Sequence, residues 1–550
     1  MRCRAATSRP PAWADRVISP RRSDYRSGYV GYHLLCRQPS LPWVHRPIEL
    51  RPRKREDRYV RAERALSGPL AAVCADIRAR IGAVKVIDDP TELGTYACDG
   101  LAHYRVQPGL AVLAENAADV QAAVQACVAA EVPFVARGSG TGLSGGALPR
   151  ADGVLIVMAK MRAIKGMYPD DTCAVVEPGV INLAVTKEAT PHGLHYAPDP
   201  SSQQICSIGG NVAENSGGAH CLKYGFTTNH VLGCEVVTPA GERVQIGGRA
   251  AEYPGYDLLG AFVGSEGTLG VATEVTVRLT PNPEVVRTLL AGFDSTDEAG
   301  AAVSAIIGSG VVPAAIEMMD ALSIEAAEVA VGCGYPAGAG AVLLVEIDGP
   351  RAEVDHTFAE VQRHCTEAGA FEIRIAATDE ERTLLWKGRK SAFAAVGRIS
   401  PNYIIQDGVV PRTALPKVLH AMGELADKAG VRVANVFHAG DGNLHPLVLF
   451  DARNDGEAER AEKVSGAILD LCIDHGGSIT GEHGVGVDKA KNMPRMFSAD
   501  DLDTMQRLRC AFDPQGLANP GKVFPTPRMC GEVPRVHSAD ETAPEGAEVF

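Results

Sequence analysis

The chain has 550 residues, 45% hydrophobic and 22% charged, an ordinary globular composition with room for about two to four domains. Its net charge of −13 argues against the basic face of a nucleic-acid binder. The longest uncharged run, residues 299–316, is mostly small residues with a Pro and falls short of the roughly 20 strongly apolar residues of a membrane span.

In chain order, residues 1–61 stand apart. They hold 14 Arg and one Lys against five acids, a net of +10 that leaves −23 for the other 489 residues. Arg21-Arg22 could open a twin-arginine signal, but only the weak apolar stretch Gly28 to Cys36 follows. An Arg-rich, acid-poor start also fits a transit peptide. The favoured expectation is a disordered or misassigned basic leader. The 14 Cys include no C-x-x-C pair, which excludes the common zinc-ribbon and ferredoxin patterns. Most are expected as reduced, buried thiols.

Residues 64–103 read as helix, strand and polar loop. Leu110 to Ala114 is a short strand. Ala117 to Ala130 is a helix with Val120, Val124, Cys127 and Val128 at helical spacing. Strands are expected over Val132 to Ala136, Val154 to Met158 and Thr172 to Glu177. Val271 to Leu279 alternates as a half-buried strand. Pro281 and Pro283 then punctuate a domain boundary. Beyond it the order is strand (Val285 to Phe293), helix (Thr296 to Ile307), strand (Ala314 to Met319), strand (Ala341 to Ile347), helix (Arg351 to Ala368), strand (Phe371 to Ile375). That is a split βαβ arrangement, so the second domain is expected to be α+β and ferredoxin-like.

The strongest local signal is Arg137-Gly138-Ser139-Gly140-Thr141-Gly142-Leu143-Ser144-Gly145-Gly146, straight after a strand, with five Gly in the nine residues from 138. Glycines let the backbone approach a ligand closely, and consecutive N–H groups can cradle a pyrophosphate. The acidic residue of the dinucleotide fingerprint is missing at its usual spacing. Two similar segments follow. One runs from Pro198-Asp199-Pro200-Ser201-Ser202 to Ile208-Gly209-Gly210-Asn211, Asn215-Ser216-Gly217-Gly218. The other is Val263-Gly264-Ser265-Glu266-Gly267-Thr268-Leu269-Gly270. Three such loops, each beside a strand, point to one long polar ligand held by backbone groups.

These loops resemble the FAD-binding domain of the vanillyl-alcohol oxidase superfamily, the p-cresol methylhydroxylase (PCMH) type. Within it they are similar to the 2-hydroxy-acid branch of glycolate oxidase FAD subunits, D-lactate dehydrogenases and D-2-hydroxyglutarate dehydrogenases. The resemblance covers about residues 65–526. It implies an FAD-binding domain over 62–282, a substrate or cap domain over 283–495, a segment at 496–526 returning to the FAD domain, and a disordered tail at 527–550. It implies FAD contacts from Arg137, Gly138, Ser139, Gly140, Thr141, Gly142, Ser144, Gly145 and Gly146. Further contacts are implied from Pro200, Ser201, Ser202, Gly209, Gly210, Asn211, Asn215, Gly217 and Gly218, and from Glu266, Gly267, Gly270, Val271 and Asn519. Thr141 stands where covalent relatives carry a His, so the FAD is expected to be non-covalent.

A second constellation is Asn435-Val436-Phe437-His438-Ala439-Gly440-Asp441-Gly442-Asn443-Leu444-His445. Asp441-Gly442 is a turn signal between two apolar runs. A hairpin there would bring His438 and His445 across from each other, about 5 Å apart at Cβ for a facing pair. Two His and a carboxylate suit zinc or a similar divalent ion. The bland reading is a polar hairpin with two core His bonded to backbone. The family resemblance implies that His438, His445 and Glu482, from Ser478-Ile479-Thr480-Gly481-Glu482-His483-Gly484, are the metal ligands. It implies that His483 is the general base, and that Arg389, or less well Lys390, grips the substrate carboxylate.

The expected activity is oxidation of a small (D)-2-hydroxy acid, glycolate or D-lactate, to the 2-oxo acid by hydride transfer to FAD. The absence of a Lys in Asn402 to Asp407 departs from the 2-hydroxyglutarate enzymes, which remain the alternative, together with a non-catalytic FAD-binding subunit. With no haem or iron–sulfur motif in the chain, electrons must leave to an external acceptor: an iron–sulfur partner subunit, a cytochrome, a quinone or oxygen. The expected location is the cytoplasm, with any inner-membrane association peripheral and through a partner.

Overall fold

The computed structural model describes residues 66–250 and 254–525, and the backbone of 548–549. The leader expected over 1–61 lies outside these residues. Of the tail expected over 527–550, the described part is the strand Glu548–Val549, which pairs antiparallel with Tyr104–Arg105.

The first half is built on two sheets. In one, the parallel strands Leu110–Leu113, Val154–Val157 and Phe134–Arg137 lie side by side, with Val86–Ile87 antiparallel at the edge. A helix joins the first and third of these, as a parallel crossover requires. It spans Ala117–Ala129; the Asn116 side chain accepts from the Asp119 N–H, and Val120, Ala123, Val124 and Cys127 are buried. The other sheet is antiparallel, in the order Arg243–Gly247, Val231–Val237, Val271–Arg278, Cys173–Val176, Ile164–Tyr168. The chain returns here late: Phe134 N–H donates to the Leu517 carbonyl and Asn519 N–H to the Phe134 carbonyl, at 2.9 and 2.8 Å.

The second half carries the split βαβ order in an antiparallel sheet: Glu372–Ile375, Val285–Phe293, Ala341–Gly349, Ala315–Asp320. This sheet is covered on both faces, which is why its strands read as nearly continuous apolar runs. Leu289, Ala291, Leu343 and Val345 face Val303, Phe358 and Met422. Leu290, Val342 and Leu344 face Ile324, Leu385 and Trp386. Between the strands expected at 314–319 and 341–347, Ala321–Val331 is a further helix, capped by Asp320 and ended by Gly332 in a left-handed conformation. Its Ala-rich sequence is apolar nearly all round, so it shows no helical period.

The sheet continues past Ala315–Asp320 into Arg432–His438, with Glu317 opposite His438. No helix among the described residues is long and apolar enough to cross a membrane.

Candidate active site

The three glycine-rich segments line one cavity of about 830 Å³ between the two halves. Gly138, Ser139, Gly140, Thr141, Gly142 and Gly146 form one wall; Pro200, Ser201, Ser202, Gly209, Gly210 and Asn211 a second; Glu266, Gly267, Gly270 and Val271 a third. Gly140 has φ +70°, and a Cβ there would sit 2.3 Å from the Arg137 guanidinium. The left-handed backbone there favours glycine. A long, glycine-walled cleft of this kind suits a dinucleotide.

Other expected contacts stand behind the wall. Arg137 donates to the Tyr96 carbonyl. Buried Ser144 presents its carbonyl to the N–H groups of Val487 and Asp488. A Cβ on Gly145 would strike the Val487 side chain, so the loop lies tight against that segment. Asn215 accepts from the Thr228 N–H, and Gly218 packs on the Asp199 backbone. Asn519 donates to the carbonyls of Gly146 and Glu266 and so ties two loops together. Gly217 lies where a Cβ would be 2.9 Å from Glu482 Oε2, so this loop reaches the second half's own site.

That site begins at the hairpin. His438 pairs with Asn443, and Asn435 with Pro446. His445 is therefore diagonal to His438 on one sheet face instead of directly opposite, and the ring centroids are 5.1 Å apart. Both rings are buried. His438 Nε2 and His445 Nε2 converge on one atom, Glu482 Oε1, at 3.3 and 3.0 Å. Each Nδ1 has an acceptor: Glu317 Oε1 at 2.8 Å for His438, and the Gln406 carbonyl at 3.4 Å for His445. Holding the proton on Nδ1 leaves Nε2 free, the arrangement a metal-binding imidazole needs. These donors fit a divalent ion at the convergence point. Burial opposes charge on His438, but the carboxylates of Glu317 and Glu482 outweigh it and raise the imidazole well above its usual pKa. Burial likewise opposes charge on Glu482, and the two His hold it well below the carboxylate range.

The loop carrying Glu482 is organised by Asp407, which is fully buried. Its carboxylate accepts from Thr480 Oγ1 at 2.5 Å, the N–H groups of Gly481 and His483 at 3.0 and 2.8 Å, and Lys489 Nζ at 3.2 Å. Ligand atoms of Asp407, His445, Glu482 and His483 all lie within 4.8 Å of one another. With its oxygens already engaged, Asp407 is the holder of the loop. The neighbouring Glu266 side chain accepts from the N–H groups of Val485 and Gly486 at 2.6 and 2.7 Å, fastening the same loop to the first half. His483 lines the cavity, and its Nδ1 has no hydrogen-bond partner. Burial, against the pull of Asp407, holds its pKa down to about 4.

Arg389 does not line the cavity. It is 2% exposed, and its Nη2 lies 2.6 Å from Glu317 Oε2. Its neighbour Lys390 is on the cavity wall, 3.8 Å from Asp199 Oδ2, as is Lys491. Three acids escaped the sequence reading. Asp407 and Glu317 each interrupt an apolar run, which itself signals a buried partner. Glu214 lines the cavity with Oε2 unpartnered; burial and then Glu266 raise its pKa well above the usual range.

Residues 108–247 match the family model described as an FAD binding domain, and residues 282–523 match the model of the FAD linked oxidases, C-terminal domain. The chain belongs to the FAD-linked oxidases. It is 50% identical to glycolate oxidase subunit GlcD of Escherichia coli (strain K12) over 466 residues, 85% of this chain and 93% of that one. It is 40% identical to the Bacillus subtilis (strain 168) GlcD, over 78% of this chain and 92% of that one. The mitochondrial D-lactate dehydrogenase [cytochrome] of Arabidopsis thaliana is 30% identical over 77% of this chain and 74% of that one. Among solved structures, 4-ethylphenol oxidase from Gulosibacter chungangensis aligns with a TM-score of 0.71 at 18% identity, over 84% of this chain and 98% of that one. Substrate-bound p-cresol methylhydroxylase aligns at 0.69 and 16% identity, over 83% of this chain and 96% of that one. These distant structures establish the fold, α+β of the PCMH type. The chain is an FAD-dependent oxidoreductase.

Proposed function

We propose that this FAD-linked oxidase converts a small 2-hydroxy acid, glycolate or D-lactate, to the 2-oxo acid. The observation that carries the reading is the convergence of two imidazole Nε2 atoms on Glu482 Oε1, beside His483 on the cavity wall. A non-catalytic FAD-binding subunit would need no such site. The names of the GlcD subunits and D-lactate dehydrogenases support the substrate class.

When bound, FAD would supply the hydride acceptor, and a divalent ion, which His438, His445 and Glu482 would hold, would polarise the substrate hydroxyl. His483 takes the hydroxyl proton; Asp407 fixes its backbone and the His445 ring fixes its plane. Lys390 presents positive charge toward the substrate carboxylate. The glycine loops would hold FAD, without a covalent bond, in the cavity that the second half also lines. Electrons then pass to an external acceptor. The subunit naming of the relatives favours a partner subunit of an oxidase complex.

The test is anaerobic mixing of the FAD-loaded protein with glycolate, D-lactate and D-2-hydroxyglutarate, following flavin absorbance. Bleaching by glycolate or D-lactate supports the reading. Bleaching by D-2-hydroxyglutarate alone, or by none of the three, contradicts it.

A further inference from the structure

Two carboxyl groups meet where the glycine-rich wall touches the loop of Glu482 and His483. Glu214 ends the helix Ile208–Glu214, and Glu266 sits in the third glycine-rich segment. Backbone bonds tie the two together. The Gly264 N–H donates to the Val212 carbonyl and the Glu266 N–H to the Ala213 carbonyl, both at 2.8 Å. Glu266 takes this place with a left-handed backbone, φ +52°. Both side chains line the cavity, and both press on the same two glycines. A Cβ on Gly484 would strike Glu214 Oε2 and lie 3.0 Å from Glu266 Oε1. One on Gly146 would strike Glu214 Oε1 and lie 3.5 Å from Glu266 Oε2. The carboxyl groups thus lie side by side, in space left by two residues that lack a side chain.

Two carboxyl groups that share a site do not both stay ionised without a large cost. Glu266 is the better anion. Its oxygens accept from the N–H groups of Val485 and Gly486, and these bonds, with Lys489 and Lys522, oppose the rise in pKa that burial causes. Glu214 Oε2 is buried with no partner. Burial, then Glu266 and Asp99, raise the Glu214 pKa well above the usual range, against Lys489 and Lys522. An unpartnered buried oxygen is costly, and a proton on it, donated to Glu266, removes that cost. The other oxygen, Oε1, faces Gly142 and Gly146, on the loop that would cradle the pyrophosphate. FAD carries hydroxyl and N–H donors along its ribityl chain and flavin ring. Its pyrophosphate would be repelled by a second carboxylate on this wall.

We propose that Glu214 is a further FAD-binding residue, sharing a proton with Glu266 through Oε2 and offering Oε1 as a neutral acceptor to a hydroxyl or N–H of FAD. The same proton links the flavin wall to the loop of Glu482 and His483, because Glu266 holds that loop's N–H groups. The proposal requires FAD as the cofactor and is independent of the substrate and of any metal.

The test uses the full chain loaded with FAD, as wild type, Glu214→Gln and Glu214→Leu. The FAD dissociation constant is read from flavin fluorescence on dilution, and the flavin midpoint potential from a dye-coupled reductive titration. A glutamine amide donates to Glu266 and keeps a carbonyl for FAD, so Glu214→Gln is expected to match wild type in both. Leucine does neither, and Glu214→Leu is expected to weaken FAD binding about 10-fold. A Glu214→Gln protein that binds FAD more tightly and at a raised potential overturns the proposal, because wild-type Glu214 would then be a carboxylate. A Glu214→Gln protein that loses FAD as readily as Glu214→Leu overturns it too. So does a folded Glu214→Leu protein with wild-type FAD affinity. The glutamine comparison decides alone where the leucine chain fails to fold.

Discussion

The imidazoles of His445 and His483 lie face to face, ring centroids 5.0 Å apart and 8° from parallel. The first belongs to the hairpin and points its Nε2 at Glu482; the second follows Glu482 in the chain and lines the cavity. The turn that carries both aims its successive N–H groups at Asp407, and it sets Glu482 against the two hairpin imidazoles with His483 beside it on the cavity wall. The stack holds the plane of His483, and the N–H bond to Asp407 holds its backbone.

Asp407 is expected to be as important as the residues that touch substrate. Asp407→Asn halves the acceptor capacity under the Thr480 to His483 turn and leaves Lys489, 1% exposed, without its counter-charge. Loss of one partner of a buried pair costs about 3–5 kcal/mol. A lowered melting temperature with slowed flavin reduction is expected. Thermal unfolding followed by flavin fluorescence checks it; an unchanged midpoint contradicts it.

Removing the metal should separate the two cofactors. His438, His445 and Glu482 belong to the second half, whereas the glycine loops are in the first. Chelation is expected to abolish turnover while the flavin stays bound. Activity that survives complete chelation, checked by elemental analysis, argues against any metal role.

The attachment of FAD is checked by acid precipitation. With Thr141 on the cavity wall, yellow flavin should appear in the supernatant. Flavin retained on the precipitated chain contradicts non-covalent binding.

The contact between the halves should titrate. His220 bridges Asp199 in the first half and Glu346 in the second, at 2.9 and 3.2 Å, and stacks on Trp386. Lys390 also faces Asp199, and Arg382 faces Glu346. Burial opposes the charge on His220, but the two carboxylates raise its pKa from 6.5 to about 10. A folded-state pKa above the unfolded one stabilises fully below pH 6.5, and the gain is lost as pH rises toward 10. Asp199 and Glu346 are depressed despite their burial, so their contribution is lost in acid. Stability should decline across the alkaline window, and His220→Asn should flatten that decline. Equal slopes in denaturant melts of the two proteins would contradict this.

How much of this was legible in the sequence follows from the distance over which each signal acts. The glycine loops, the Asp441-Gly442 turn and the Val271–Arg278 strand are local patterns that appear where they are expected. The strand, however, is buried on both faces apart from Glu274 and Arg278, not half-buried as its alternation suggests, because it is a central strand of its sheet. The diagonal register of His438 and His445 depends on a loop of residues 439–442, one step beyond what a turn signal specifies. Glu317 and Asp407 act on residues 121 and 76 positions away, and nothing in a one-dimensional pattern pairs them. Arg389 and Lys390 are adjacent in sequence, and only the packing of their helix decides which one faces Glu317 and which one the cavity.

The most direct measurement is the rate of flavin bleaching in anaerobic stopped flow, with glycolate or D-lactate, for wild type and His483→Asn. With FAD and metal contents shown to be equal, the account predicts flavin reduction slower by about 10²-fold or more in the variant, the loss expected for a general base. A His483→Asn protein that bleaches at the wild-type rate would contradict it.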